Sequence, residues 1–163
     1  MEAIDLLREQ AANADSTLLR VFTPVTPEQA SWRLPGSTAN TIALTFLHIY
    51  VSEDDLLHRF AGGPSLFAND GWGSRLGYDP EAWTLRDPPD KDLMLAYAEA
   101  VTAARRDYLA TATPEQLEEE VETRQGRRKV IARLSGYLVA HKLQHTGEIA
   151  ALLGCQGVKG LPF

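Results

Sequence analysis

At 163 residues, 44% of them hydrophobic and 23% charged, the chain has the size and composition of one globular domain rather than of a disordered polymer. With 22 acidic against 16 basic residues its formal net charge is −6, which argues against a nucleic-acid partner. The single cysteine, Cys155, excludes a disulfide framework or a cysteine-rich zinc site. Met1-Glu2-Ala3-Ile4-Asp5 lacks a basic-then-apolar leader, and no apolar run approaches the roughly 18 residues of a membrane span, so a soluble cytoplasmic domain is expected.

Helical periodicity comes first over residues 2–22, where Ile4, Leu7, Ala11, Leu18, Leu19 and Phe22 recur at spacings of three, four and seven. Pro24 stops it. Thr26-Pro27-Glu28-Gln29 reads as a short capped turn, with Thr as N-cap, Pro at the first helical position and Gln at the capping-box position. After Leu34-Pro35-Gly36-Ser37 a second long helix is expected from Thr38 or Ala39 to Phe60 or Ala61, ended by Gly62-Gly63-Pro64. Residues 62–90 hold five Gly, four Pro and the aromatics Phe67, Trp72, Tyr78 and Trp83 without a sustained period. They read as a long ordered loop with its aromatics packed on the bundle, and as a lid if a pocket lies beneath.

The third helix spans residues 90–112, and Thr113-Pro114-Glu115-Gln116 repeats the capped turn. Residues 121–129 read as a loop or hairpin around Gly126 whose Arg124, Arg127, Arg128 and Lys129 form a solvated basic cluster. The last helix is expected over residues 130–153, closed by Gly154. The whole is an all-α four-helix bundle over residues 1–155 with a long connection between the second and third helices and an irregular tail over 156–163.

The chemistry concentrates in His141-Lys142-Leu143-Gln144-His145, two imidazoles four residues apart on one helical face. With Leu134 as zero and about 100° per residue, Leu138 lies near +40°, His141 near −20°, His145 near +20° and Leu152 near 0°, so both rings are expected at the centre of the core-facing stripe. Buried imidazoles must find polar partners. A shared divalent ion does this, and so do Tyr, Glu or water from neighbouring helices.

A firm metal site needs a third protein ligand. The remaining histidines are both on the second helix: His48 on a flank with Thr41, Thr45 and Ser52, and His58 on the far, solvated side. Glu53 is anomalous, a carboxylate in the middle of the apolar stripe of Ile42, Phe46, Ile49, Leu56 and Phe60. It either orients a ligating histidine or holds a buried Arg or Tyr. Glu53 and Glu148 are the two carboxylates available as a general acid or base; Glu148 lies near −40° on the histidine face by the roughly 100° rule and reads alternatively as a cap or salt bridge. Cys155 reads as a small buried residue rather than a reactive thiol.

Ser31-Trp32-Arg33-Leu34-Pro35-Gly36-Ser37 leading into Thr41 to His48, with His141-Lys142-Leu143-Gln144-His145-Thr146-Gly147-Glu148-Ile149 later, resembles the DinB/YfiT-like superfamily of bacterial four-helix-bundle metalloproteins. The resemblance covers residues 1–155, and its H-x-x-x-H-x-G-x-I motif is the most specific part. It implies that His48, His141 and His145 bind a divalent metal ion, zinc or nickel. It also implies relatives that are thiol-dependent transferases and isomerases using a low-molecular-weight thiol such as bacillithiol or mycothiol, in a bundle able to form a homodimer. With such an ion activating water or a thiol, a thiol S-transferase or small-molecule hydrolase is expected. One branch carries Glu where this chain has His141, so the substrates of that branch do not transfer. The competing expectation is a bundle that binds a small molecule or partner without turnover.

Overall fold

Four long amphipathic helices form because apolar residues return every three to four positions, and the second and third open on the capping side chains of Thr41 and Asp90. The computed structural model describes residues 2–123 and 126–161. Helix α1 (Ala3–Phe22) leads to the short α2 (Pro27–Ser31), where Thr26 Oγ1 accepts from the Gln29 amide and Gln29 reaches back to the Thr26 amide, as the capped turn requires. Helix α3 (Ile42–Ala61) begins a few residues later than the spacing predicts. Its cap is Thr41, whose hydroxyl accepts from the Leu44 amide at 3.2 Å, while Ser37 Oγ holds the Ala39 amide in a turn.

The long connection is more structured than a loop. It contains α4 (Leu66–Asn69), α5 (Trp72–Leu76) and a two-residue antiparallel pairing of β1 (Tyr78–Asp79) with β2 (Thr84–Leu85). Helix α6 (Lys91–Thr111), capped by Asp90, is followed by α7 (Pro114–Glu118) with the second Thr-Pro-x-Gln capping box. Strands β3 (Glu120–Val121) and β4 (Arg128–Lys129) then make the expected hairpin. Arg127 and Lys129 pair there with Glu120 and Glu118, as a solvated cluster should; Arg124 lies outside the described residues.

The last helix departs from the expected pattern. It runs as α8 (Val130–Ser135), a π segment (Gly136–His141) and α9 (Lys142–Cys155). The change begins at Ser135-Gly136, a pair that weakens the α ladder. A π turn takes in one extra residue, so everything beyond it is rotated by about 100° relative to an unbroken α-helix. The buried stripe therefore passes from Leu134 and Leu138 to Lys142, Thr146, Ile149 and Leu153, and His141 and His145 move from the expected core centre to a half-buried flank. The tail folds back on this helix. Val158 N donates to Leu153 O, and Gly160 lies so close to Ala150 that a Cβ would fall 2.2 Å from the Ala150 carbonyl oxygen.

Around the bundle α1 packs on α9, α9 on α3 and α3 on α6, burying Phe22 stacked on Phe46 among the aliphatics. At its centre lies a closed ring of four charges, one from each long helix: Asp15 (α1), Glu53 (α3), Arg105 (α6) and Lys142 (α9). Arg105 donates to Glu53 at 2.9 Å and to Asp15, and Lys142 Nζ lies 2.6 Å from Glu53 Oε2 and also contacts Asp15. Lys142 is fully buried and its ammonium sits 4.8 Å from the centre of the Tyr50 ring. Burial alone would raise the Asp15 carboxyl, but the Lys142 and Arg105 charges outweigh it and hold Asp15 below the usual aspartate range.

With all four members present the ring is neutral, so removing any single one leaves an uncompensated buried charge. Arg105→Met is expected to destabilise the fold by about 3–5 kcal/mol, read from urea unfolding. A loss under about 1 kcal/mol would show that the charges are not desolvated as the structure has them.

Candidate metal centre

Three helical segments deliver three imidazoles to one point. His48 lies in the second turn of α3, His141 ends the π segment, and His145 lies in the first turn of α9. His141 Nε2 is 3.2 Å from His48 Nε2 and 3.1 Å from His145 Nε2, and one ligand atom from each residue fits within a 4.8 Å cluster. The other ring nitrogens reveal the tautomers. His145 Nδ1 lies 2.6 Å from Glu148 Oε2, an acceptor, so Nδ1 carries a proton, and in the neutral ring Nε2 is then the lone-pair nitrogen. His48 Nδ1 stands 3.4 Å from Ser52 Oγ, available to the same arrangement. His141 Nδ1 is buried with no hydrogen-bond partner among the described residues.

Three inward-facing lone pairs repel one another unless a cation, or a proton shared along the 3.1 and 3.2 Å Nε2–Nε2 contacts, lies between them. Nitrogens bound tetrahedrally at about 2.0–2.1 Å from zinc are about 3.3 Å apart, close to the spacing found here, so the donor set fits a divalent ion. Burial, reinforced by the neighbouring imidazoles, pushes His141 down to about 4 and lowers His48 as well, so these rings are neutral and able to ligate at ordinary pH.

Aromatic rings wall the cluster. The Trp83 ring, at the tip between β1 and β2, lies 4.9 Å from the His48 ring, and Tyr137 lies 5.2 Å from His141. Trp83 adopts a left-handed φ of 53°, unfavourable for a bulky residue, and remains 40% exposed above His48. The other loop aromatics pack inward as expected: Phe67 and Trp72 lie 6.1 and 5.3 Å from Tyr97, and Phe67 lies 5.9 Å from Tyr78. A hollow of about 360 Å³, lined by Thr38, Asn40, Thr45, Glu148 and Leu152 among others but by none of the three histidines, reaches the centre only through Glu148. A larger cavity of about 920 Å³ between α1 and α6 includes none of the three histidines.

The remaining candidates are placed differently. Glu53 belongs to the charge ring with Arg105 and Lys142 and touches none of the histidines; Glu148 is the carboxylate that orients a ring. His58 is not on a solvated face, since its Nε2 lies 3.1 Å from Asp54 Oδ1. Asp54, which the sequence reading passed over, is buried and accepts from the Leu66 and Phe67 amides and from the Tyr97 hydroxyl at 3.1, 2.8 and 2.8 Å, fastening the long connection to α3. Its only signal was a second carboxylate beside Glu53. Cys155 is exposed rather than buried, about 15 Å along the helix from His145.

The family model of the DinB superfamily matches residues 10–149. The chain belongs to the DinB superfamily. Among solved structures, a conserved protein from Enterococcus faecalis is similar with a TM-score of 0.76 at 16% identity, over 94% of this chain and 99% of that one, a likeness of fold. No curated protein matches the chain. Within this DinB superfamily bundle, no described helix is long and apolar enough to cross a membrane.

Two outcomes follow for the DinB centre. Glu148→Gln, which weakens the hold on His145, should lower metal affinity about 10–100-fold by competition with a chromophoric chelator. In chelator-treated protein the folded state binds fewer protons than the unfolded state between the lowered folded values and the unfolded value near 6.5. Stability should therefore be full above about pH 6.5 and fall as pH drops toward about 4, with a shallower fall in His141→Leu, measured by urea melts across that window.

Proposed function

We propose that His48, His141 and His145 hold one divalent cation, zinc or nickel, and that the chain is a metal-dependent enzyme acting on a small molecule, as a thiol S-transferase or a hydrolase. The observation that carries this reading is the convergence of three Nε2 atoms, one of them on a ring whose other nitrogen is held by a carboxylate. Membership of a metal-associated superfamily supports it. A bound ion supplies Lewis acidity sufficient to make a nucleophile of a water or a thiol at neutral pH.

The chain's own groups supply the rest. Glu148 holds the His145 ring, Trp83 screens His48 from bulk water, and Tyr137 backs His141. The hollow beside Glu148 offers the side chains of Thr38 and Asn40 to a small polar substrate, and its volume of about 360 Å³ is at the low end of small-molecule sites. A bundle that binds without turnover is the second reading. It is favoured by the placement of the two candidate acids, since Glu148 is bonded to His145 and Glu53 is locked in the charge ring.

Protein purified without a histidine tag should carry about one equivalent of zinc or nickel by elemental analysis, lost in His48→Ala. Full occupancy in His48→Ala would overturn the ligand set. A panel of low-molecular-weight thiols with electrophilic acceptors, and of simple esters, separates the two readings. Turnover abolished by chelation supports the enzyme, and metal occupancy without turnover supports the binding bundle.

A further inference from the structure

The last helix has two registers available. In an unbroken α-helix His141 and His145 sit within about 20° of the core centre set by Leu134, and Lys142 lies about 80° away. In that register Asp15 and Glu53 lose their lysine and share one arginine, and the histidines turn away from the flank of α3 where His48 stands. The π turn subtracts about one residue's rotation, bringing Lys142 to roughly −20°, Thr146 to +20°, Ile149 to −40° and Leu153 to 0°. These four residues are buried, and Leu152, at about −100° in this register, is buried beside them. The same rotation brings His141 and His145 round to His48.

Two otherwise separate networks, the charge ring and the imidazole cluster, are thus satisfied by one backbone change. Both engage neighbouring residues of the same turn: Lys142 Nζ meets Asp15 and Glu53, and His141 Nε2 meets His48 and His145. The Thr146 hydroxyl donates to the Lys142 carbonyl at 2.7 Å, satisfying a hydroxyl that the rotation has buried.

We infer that Lys142 is a positioning residue for the metal centre: by closing the charge ring it selects the π register and thereby turns His141 and His145 toward His48. The inference rests on the three-histidine metal reading. By linkage the dependence is reciprocal, so an ion held by the histidines also stabilises the π turn.

The test uses cobalt(II) titrated into the full chain and followed by visible absorption. Lys142→Met is combined with Asp15→Asn, which keeps the remaining Glu53–Arg105 pair balanced. The double variant should bind cobalt at least 10-fold more weakly than the wild type, with a changed absorption band and an unchanged far-ultraviolet spectrum, and Lys142→Arg should recover much of the affinity. A folded double variant with wild-type affinity and band overturns the inference while leaving the metal reading intact. A wild type that takes up no cobalt overturns the metal reading and this inference with it.

Hydrogen exchange on the wild type gives a second measurement independent of whether the variants fold. Saturating zinc should slow exchange of the amides over residues 136–142 at least 10-fold, and an unchanged rate there contradicts the coupling.

Discussion

The centre of this bundle is organised by a ring of alternating charge in which Asp15, Arg105, Glu53 and Lys142 each come from a different long helix. Apolar side chains tolerate small rotations of one helix against another; charges in ion-pair contact inside a low-dielectric core do not. Because the ring closes only when every member faces inward, it ties the rotations of four helices together. The surrounding contacts, such as Phe22 on Phe46 and the aliphatics about Leu134 and Ile149, fill the space that this arrangement leaves.

The histidine cluster is tied to that ring. Lys142 lies between His141 and Leu143 in the chain, and an α-helix cannot point residues 141 and 142 toward the core together. With the lysine inward, the histidines occupy the adjoining flank, where His48 of α3 meets them. The long connection completes the environment by a separate device. Asp54 gathers two backbone amides of α4 and the Tyr97 hydroxyl, Phe67 and Trp72 pack on Tyr97, and the hairpin beyond places Trp83 over His48. Burial, with the adjacent Asp54 charge adding to it, raises Tyr97 and keeps its hydroxyl protonated as the donor.

Much of this was legible in the chain. Period-3.6 runs, Thr-Pro-x-Gln boxes and the Gly-Gly-Pro stop locate the helices because these signals act through local backbone geometry. The motif bearing His141 and His145 drew attention by residue type and spacing, and Glu53 by standing in an apolar stripe. The π turn was missed, although a trace of it was present: with Leu134 as zero, Ile149 and Leu153 drift to about +60° and +100°, a rotation an unbroken buried helix does not show. His58 was misplaced for a related reason, since a helical wheel places side chains around one axis and says nothing of what the rest of the fold brings alongside. Cys155 was expected inside from its residue type alone, and at the end of the last helix it is exposed.

The sequence by itself determined the number of long helices, most of their end signals, and the four-residue spacing that sets His141 beside His145, because those depend on contacts among near neighbours in the chain. Tertiary structure alone decided which partners Glu53 and Asp54 would find, that Glu148 rather than Glu53 would stand behind a histidine, and that Lys142 would displace the histidines from the core. Each of those outcomes depends on the rotation of one helix relative to the others, and that rotation is set by charges from four distant stretches that meet only when the bundle closes.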